Sequence, residues 1–221
     1  MCKILGISGK KSAGKDTLAN AFFNHCRFFL NKKVEIIPFA LALKDTCQNL
    51  FSIKKKSIYG TEEQKNELTY YKWSDMPNFV SENIYEKIKS SGIDPKDIGL
   101  FTKNDSYMTG REFLQFFGTE ICRKISDNIH IQATFTKINS LKRDFFIIPD
   151  VRFVNEVKSI QENGGYVVRL NRGVSSDTHS SEKELDDFKN FDLIIDNSKL
   201  SVDKELSLLN KFLTKKGWFK W

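Results

Sequence analysis

The first seventeen residues constrain this chain more than any other stretch. "CKILGIS" (Cys2–Ser8) is short, apolar and closed by Gly9, which reads as a buried strand. "GKKSAGKDT" runs from Gly9 to Thr17, and "DTLANAFFNHCRFFL" follows with Leu18, Phe22, Cys26, Phe29 and Leu30 at helical spacing. A glycine-containing turn between a strand and a helix is the setting of a phosphate-binding loop, G-x-x-x-x-G-K-[ST]. Gly9 and Gly14 permit backbone angles that turn the amides from Lys10 through Ser12 and Ala13 to Thr17 toward phosphate oxygens. The start of the helix adds partial positive charge, and Lys15 reaches for the β- and γ-phosphates of a nucleotide. One position departs from the pattern: Asp16 stands where a hydroxyl normally meets Mg²⁺. A carboxylate is a hard oxygen ligand, direct or through water. An acid is also favoured in the first turn of a helix, so metal ligand and helix cap are both open readings. Thr17 is the better candidate for an α-phosphate contact.

The rest of the chain alternates in the same way. "KVEIIPFA" (Lys33–Ala40), "DFFIIPD" (Asp144–Asp150), "YVVRL" (Tyr166–Leu170) and "FDLIIDN" (Phe191–Asn197) read as further strands. "FVNEVKSIQEN" (Phe153–Asn163) reads as a helix stopped by Gly164-Gly165, and "SVDKELSLLNKFLTK" (Ser201–Lys215) as a helix capped by Ser201. Val202, Leu206, Leu209 and Leu213 share its apolar face. Alternating strands and helices predict an α/β fold with a mostly parallel five-stranded sheet covered on both faces. Thr46–Asn128 is polar, lysine-rich and mostly helical in pattern, so residues 46–128 are expected to form a helical lobe inserted into one domain spanning 1–221.

Composition narrows the class without choosing the chemistry. The chain has 221 residues, 40% hydrophobic and 29% charged, with nineteen Phe, which suits a globular domain with a sizeable core. A net charge of +7 favours anionic ligands of any kind. Cys2, Cys26, Cys47 and Cys122 show no C-x-x-C spacing, which argues against a zinc site or disulfide framework and fits a reducing cytoplasm. No stretch has the length of a membrane span or the make-up of a leader.

Candidate site residues gather where strands end. Asp150 closes an apolar strand, and in a parallel sheet the carboxyl ends of strands share the ligand edge. If that strand lies beside the first, Asp150 comes near the loop and becomes a second Mg²⁺-associated acid; an ordinary turn aspartate is the plainer alternative. Arg152 lies two residues on, and a guanidinium donates paired hydrogen bonds to phosphate. In "TGREFLQFFGTEICRKI" (Thr109–Ile125), Phe113, Phe117 and Ile121 form an apolar row. Arg111, Gln115, Thr119 and Arg123 form a polar one, provided the helix continues through Gly118. Lys44, in "FALALKD" (Phe39–Asp45), is a further candidate cation near the start of the lobe.

"GKKSAGKDT", "FALALKD", "TGREFLQFFGTEICR", "PDVRFVNE" and "HSSEKELDDFKNFDLIIDN" occur in one order and span nearly the whole chain. Together they resemble the deoxynucleoside monophosphate kinases of bacteriophages and large viruses. Between Asn49 and Tyr107 little matches beyond "YGTEEQKN" and Trp73. The resemblance implies a nucleoside-monophosphate-kinase-like three-layer sandwich, ATP with Mg²⁺ as donor and a deoxynucleoside monophosphate (dNMP) as acceptor. It assigns Lys15 and the loop to ATP, Arg111, Gln115 and Arg123 to the acceptor, and Asp150 and Arg152 to the space between the substrates; Lys44, by its place near the entrance to the lobe, is the further candidate for an acceptor phosphate. It also implies a short lid over about 169–182, where Arg172 reaches the phosphates and His179 either touches phosphate or orders the lid. Ser181 and Glu184 have the spacing of a capping box. The implied partners are small nucleotides in the cytoplasm, of a host cell if the source is viral. Neither a stable nucleic-acid partner nor a membrane is implied, and a homodimer is left open.

Phosphomevalonate kinases of the animal type look distantly similar but lack an equivalent of "TGREFLQFFGTE". A nucleotide-dependent switch or nucleic-acid-binding ATPase is the alternative of another class. The sequence holds no N-K-x-D guanine signature and spreads its lysines, "SIKKKS" and "KKGWFKW" aside.

Overall fold

From Cys2 the chain enters β1 (Lys3–Gly9), turns, and continues as α1 (Lys15–Asn24), which passes into a π-helical turn, His25–Phe29. Strand β2 (Val34–Ile36) and helix α2 (Leu41–Asn49) follow. Next come α3 (Lys55–Tyr59), α4 (Glu62–Lys65), β3 (Leu68–Lys72), α5 (Glu82–Ser90), β4 (Tyr107–Thr109) and α6 (Gly110–Phe116). A second π turn, Phe117–Cys122, leads to α7 (Arg123–Ile125). The remainder carries α8 (Ile129–Ser140), β5 (Phe145–Val151), α9 (Val154–Glu162), β6 (Tyr166–Leu170), β7 (Leu193–Ile195) and α10 (Val202–Lys215). This computed structural model describes residues 2–172 and 184–219. The chain divides into two units, Met1–Ala42 with Ile125–Trp221, and Leu43–Lys124.

In the first unit five strands pair in the order β2-β5-β1-β6-β7, every pairing parallel. Strand β1 therefore lies beside the strand that bears Asp150, with Leu5 opposite Ile147 on one side and Tyr166 on the other. Alternate side chains face opposite layers, as the pleat requires. Leu5, Ile7, Phe145, Ile147 and Val168 pack against Leu18 and Phe22 of α1 and Leu209 and Leu213 of α10. Ile4, Phe146, Ile148 and Val167 pack against Ile131 and Ile138 of α8 and Val157 and Ile160 of α9. The result is a three-layer α/β sandwich with the expected five-stranded sheet. Ser201 caps α10 through Lys204 N–H, as its sequence predicts, and Trp218 is buried against the first core.

Some elements differ from their sequence pattern. Phe29 is 79% exposed, not part of the α1 face. The π turn adds a residue to the helical repeat there, so Phe29 rotates off the row that begins with Leu18 and Phe22. Strand β2 stops at Ile36 rather than Ala40, because Pro38 has no N–H to give a ladder and Phe39 and Ala40 give theirs to Asp150. Within the second unit, β3 and β4 form an antiparallel pair that the helical pattern did not announce.

The second unit has its own core. Cys47, Ile53, Ile58, Trp73, Met108, Phe113 and Phe116 are buried together. One close approach within it is at Gly110, where a Cβ would lie 2.5 Å from the Ser57 carbonyl oxygen and 2.8 Å from Ser57 Cβ. Backbone cannot yield as a side-chain tip can, so α6 meets α3 this closely only through glycine.

All four cysteines are free thiols. Cys26 and Cys47 are fully buried, and burial pushes both thiols up to about 12. Among the described residues no helix is long and apolar enough to cross a membrane.

Two outcomes follow from this packing. Alanine is the better helix former by about 1 kcal/mol, yet Gly110→Ala is expected to lower stability by about 1–3 kcal/mol through overpacking against Ser57. A urea unfolding curve checks the sign. With iodoacetamide at pH 8, Cys2 is expected to alkylate while Cys26 and Cys47 stay unlabelled until denaturant is added, since the thiol form does not attack. Peptide mass spectrometry reads this directly, and rapid native labelling of Cys26 would contradict it.

Candidate active site

In the loop between β1 and α1, Gly14 takes the backbone angle that glycine permits, whereas Gly9 is the last residue of β1 and the second left-handed position is Ser12. Ser12 has φ 61° and Gly14 has φ 91°, both left-handed. The Ala13 amide closes a turn onto the Lys10 carbonyl at 3.1 Å, and Leu18 N–H bonds the Gly14 carbonyl at 2.9 Å. Lys15 opens α1, and its ammonium donates to the carbonyls of Gly9 and Lys10, each at 2.8 Å. Asp16 and Thr17 are in the first turn of α1. Asn20 donates to the Asp16 backbone carbonyl at 2.9 Å, which leaves the Asp16 carboxylate outside that contact.

Asp150 is the last residue but one of β5 and Arg152 follows the strand, at the same edge of the sheet as the loop. The two carboxylate oxygens of Asp150 accept from Phe39 N–H at 2.8 Å and Ala40 N–H at 3.0 Å. The acid thus organises the turn that leads into α2, a structural duty that strand patterning did not disclose. Each carboxylate oxygen has two lone pairs, so one backbone donor apiece leaves room for a further partner. The Arg152 N–H donates to Glu156 Oε2 at 2.8 Å and the Phe153 N–H to the same oxygen at 3.2 Å. Glu156, almost fully buried, thereby sets the direction in which the chain leaves β5.

Arg172 reaches back to the loop. A Cβ on Gly14 would stand 2.9 Å from its Nη2, so the guanidinium occupies the space beside this glycine. Two neighbouring residues had no contact assigned to them from sequence. Arg169, in β6, donates to Ser8 Oγ at 2.9 Å, lies 3.7 Å from Asp186 Oδ1 and sits over the Phe191 ring. Asp186 also pairs with Lys10 of the loop. Arg169, which opens the expected lid, is therefore a strand residue in a polar cluster. Residues 173–182 of the expected lid, among them His179 and Ser181, lie outside the described residues.

The remaining candidates belong to the second unit. Arg111, at the start of α6, pairs through Nη2 with Glu62 Oε2 at 2.6 Å. Glu62 lies in α4, whose capping box joins Thr61 and Gln64, so "YGTEEQKN" and "TGRE" meet in space. A second capping box joins Thr109 and Glu112 at the head of α6. Lys44 Nζ is 4.9 Å from the centre of the Tyr59 ring, and Tyr59 OH donates to Asp45 at 3.2 Å. Burial, then the Asp45 charge and hydrogen bond, push the Tyr59 hydroxyl up to about 12, so it remains a donor at neutral pH.

The expected row Arg111, Gln115, Thr119, Arg123 is not one continuous stripe. Helix α6 ends at Phe116, and the π turn Phe117–Cys122 changes the repeat before Arg123. Arg111 and Gln115 keep their i,i+4 relation, and Thr119 and Arg123 are rotated relative to them. Bonds from i to i+5 put an extra residue in that turn. A dipeptide such as Phe116-Phe117 gives no local sign of this.

This chain matches the model of the deoxynucleotide monophosphate kinase family over residues 46–206. It is also 30% identical over 212 residues to a protein of Acanthamoeba polyphaga mimivirus named "putative deoxynucleotide monophosphate kinase", with 89% of each chain covered.

Asp150→Asn is expected to cost about 1–3 kcal/mol, because the amide offers one acceptor to two backbone donors and turns an NH₂ toward the other. Chemical denaturation without nucleotide measures the loss. A variant as stable as the parent would show that the Phe39 and Ala40 bonds contribute nothing.

Proposed function

The chain belongs to the deoxynucleotide monophosphate kinase family, whose reaction is phosphorylation of a deoxynucleoside monophosphate, and we propose that its donor is ATP with Mg²⁺, bound at Gly9–Thr17. The products are a deoxynucleoside diphosphate and ADP. The observation that carries this reading is the loop itself. Left-handed Ser12 and Gly14 and the Lys15 ammonium lie at the carboxyl end of a strand paired in parallel on both sides. Backbone amides in such a turn and the N-terminus of α1 favour an anion.

The acceptor's attacking atom is a phosphate oxygen, already mostly ionised near neutral pH. No strong general base is required, and catalysis falls on orientation and on cations around the transferring group. The Lys15 ammonium would exchange its two carbonyl acceptors for β- and γ-phosphate oxygens. Arg172, beside Gly14, and Arg152, after β5, would add guanidinium donors as charge shifts toward the leaving ADP. Asp16 and Asp150 supply hard carboxylate oxygens of the kind Mg²⁺ takes. Bound there, the ion would neutralise phosphate charge. Arg111, Gln115, Arg123 and Lys44 are the proposed acceptor contacts, with Arg152 shared. The partners in this reading are small nucleotides, and the setting is the cytoplasm, of a host cell if the source is viral as the mimivirus relative's is.

The test is release of ADP from ATP·Mg²⁺ with each deoxy- and ribonucleoside monophosphate and with phosphomevalonate. Turnover is expected with at least one dNMP. Lys15→Ala is expected to lower kcat by about a hundredfold or more, and Arg111→Ala to raise the acceptor KM by about tenfold while sparing the ATP KM. Full activity of Lys15→Ala, or turnover with phosphomevalonate alone, would overturn the assignment.

A further inference from the structure

Asn197 follows β7, and its side chain is completely buried. Its Nδ2 donates to the Ala13 carbonyl oxygen in the loop and to Glu205 Oε1 in α10, both at 2.9 Å. Both partners are acceptors, so only the NH₂ end of the amide satisfies them, and its orientation is decided. Its Oδ1 is buried without a hydrogen-bond partner among the described residues, an arrangement that packing alone would not select. Glu205 is 2% exposed, a carboxylate inside the core for which the proposed chemistry has no use.

We propose that Asn197 is a positioning residue for the donor phosphates, with Glu205 as the group that orients it. The peptide link between Ala13 and Gly14 is planar, and a trans peptide directs its C=O and N–H to opposite sides. Holding the Ala13 carbonyl toward Asn197 sends the Gly14 N–H the other way. Gly14 is also the residue beside which Arg172 sits, and a Cβ on it would lie 3.7 Å from Asn197 Nδ2. One buried amide thus sets the plane of the loop's central peptide, and the buried carboxylate keeps that amide from turning over. The sequence signal is slight: an Asn after a short strand and a Glu eight residues on, within a helical turn of Ser201.

This inference rests on the reading of Gly9–Thr17 as the ATP site, so binding of ATP·Mg²⁺ by the parent protein is measured first. Absence of binding there would sink that reading and this one with it. Thermal unfolding, ATP·Mg²⁺ titration calorimetry and separate KM values for ATP and dNMP are then compared for Asn197→Asp and for Asn197→Asp with Glu205→Gln. The first substitution keeps the shape and removes both donors, so the single variant is expected to lose stability and ATP affinity together. In the double variant the glutamine NH₂ introduced in α10 donates to the carboxylate introduced after β7, and stability is expected to recover. The Ala13 carbonyl still lacks its donor, so ATP affinity is expected to stay about tenfold weaker, the size of one ordinary hydrogen bond. The dNMP KM is expected to stay at the parent value. Parent-like ATP affinity in either variant would reduce Asn197 to a packing residue. Asn197→Ala removes the donors without adding charge, and gives the same reading should the carboxylate-bearing variants fail to fold.

Discussion

Parallel pairing of β1 on both sides is the constraint from which the site descends. A central strand buried on both faces has little freedom of register, because a slip of one residue would move Leu5 and Ile7 out of the α1 and α10 layer. Parallel neighbours also end at the same edge. The turn after β1, Asp150 near the end of β5 and Arg152 after it, Arg172 after β6 and Asn197 after β7 are therefore delivered to one side of the sheet by topology alone. No special local sequence is needed to bring them there.

What topology delivers, polar groups then aim. Asp150 holds the amides of Phe39 and Ala40, Glu156 those of Arg152 and Phe153, and Asn197 the carbonyl of Ala13. Charge-assisted bonds to backbone amides are among the stronger ones available, and they act on main-chain direction rather than on a side chain. These turns carry proposed contacts or lead to them, so the acids near this edge are as much scaffold as chemistry. Asp150 can do both, since a carboxylate oxygen bonded to one amide keeps a second lone pair.

Legibility in the sequence followed the range of the interaction. Strand-turn-helix around "GKKSAGKDT", the apolar face of α10 and its Ser201 cap are local, and short-range pattern disclosed them. The five strands were legible, though β2 and β7 proved shorter than their apolar runs. The π turns at His25–Phe29 and Phe117–Cys122 were not, because the residues there are ordinary helix residues with no local mark of an i to i+5 turn. The pair Arg111–Glu62 was equally hidden, with its members 49 positions apart in two motifs that each looked self-sufficient.

The sequence by itself determined which residue types this protein offers to a phosphate, and that a strand and a helix would flank its loop. Glycine spacing and apolar periodicity act within a few residues and need no partner. Only the tertiary structure decided which of those residues the backbone already uses. Asp150 gives an oxygen to each of two amides, Lys10 answers Asp186, and Asn197, silent in sequence, holds the loop peptide. The physical reason is that these partners are far apart in the chain and meet only where the fold brings them together, and for a group removed from water, as Asn197 is, finding such a partner is obligatory.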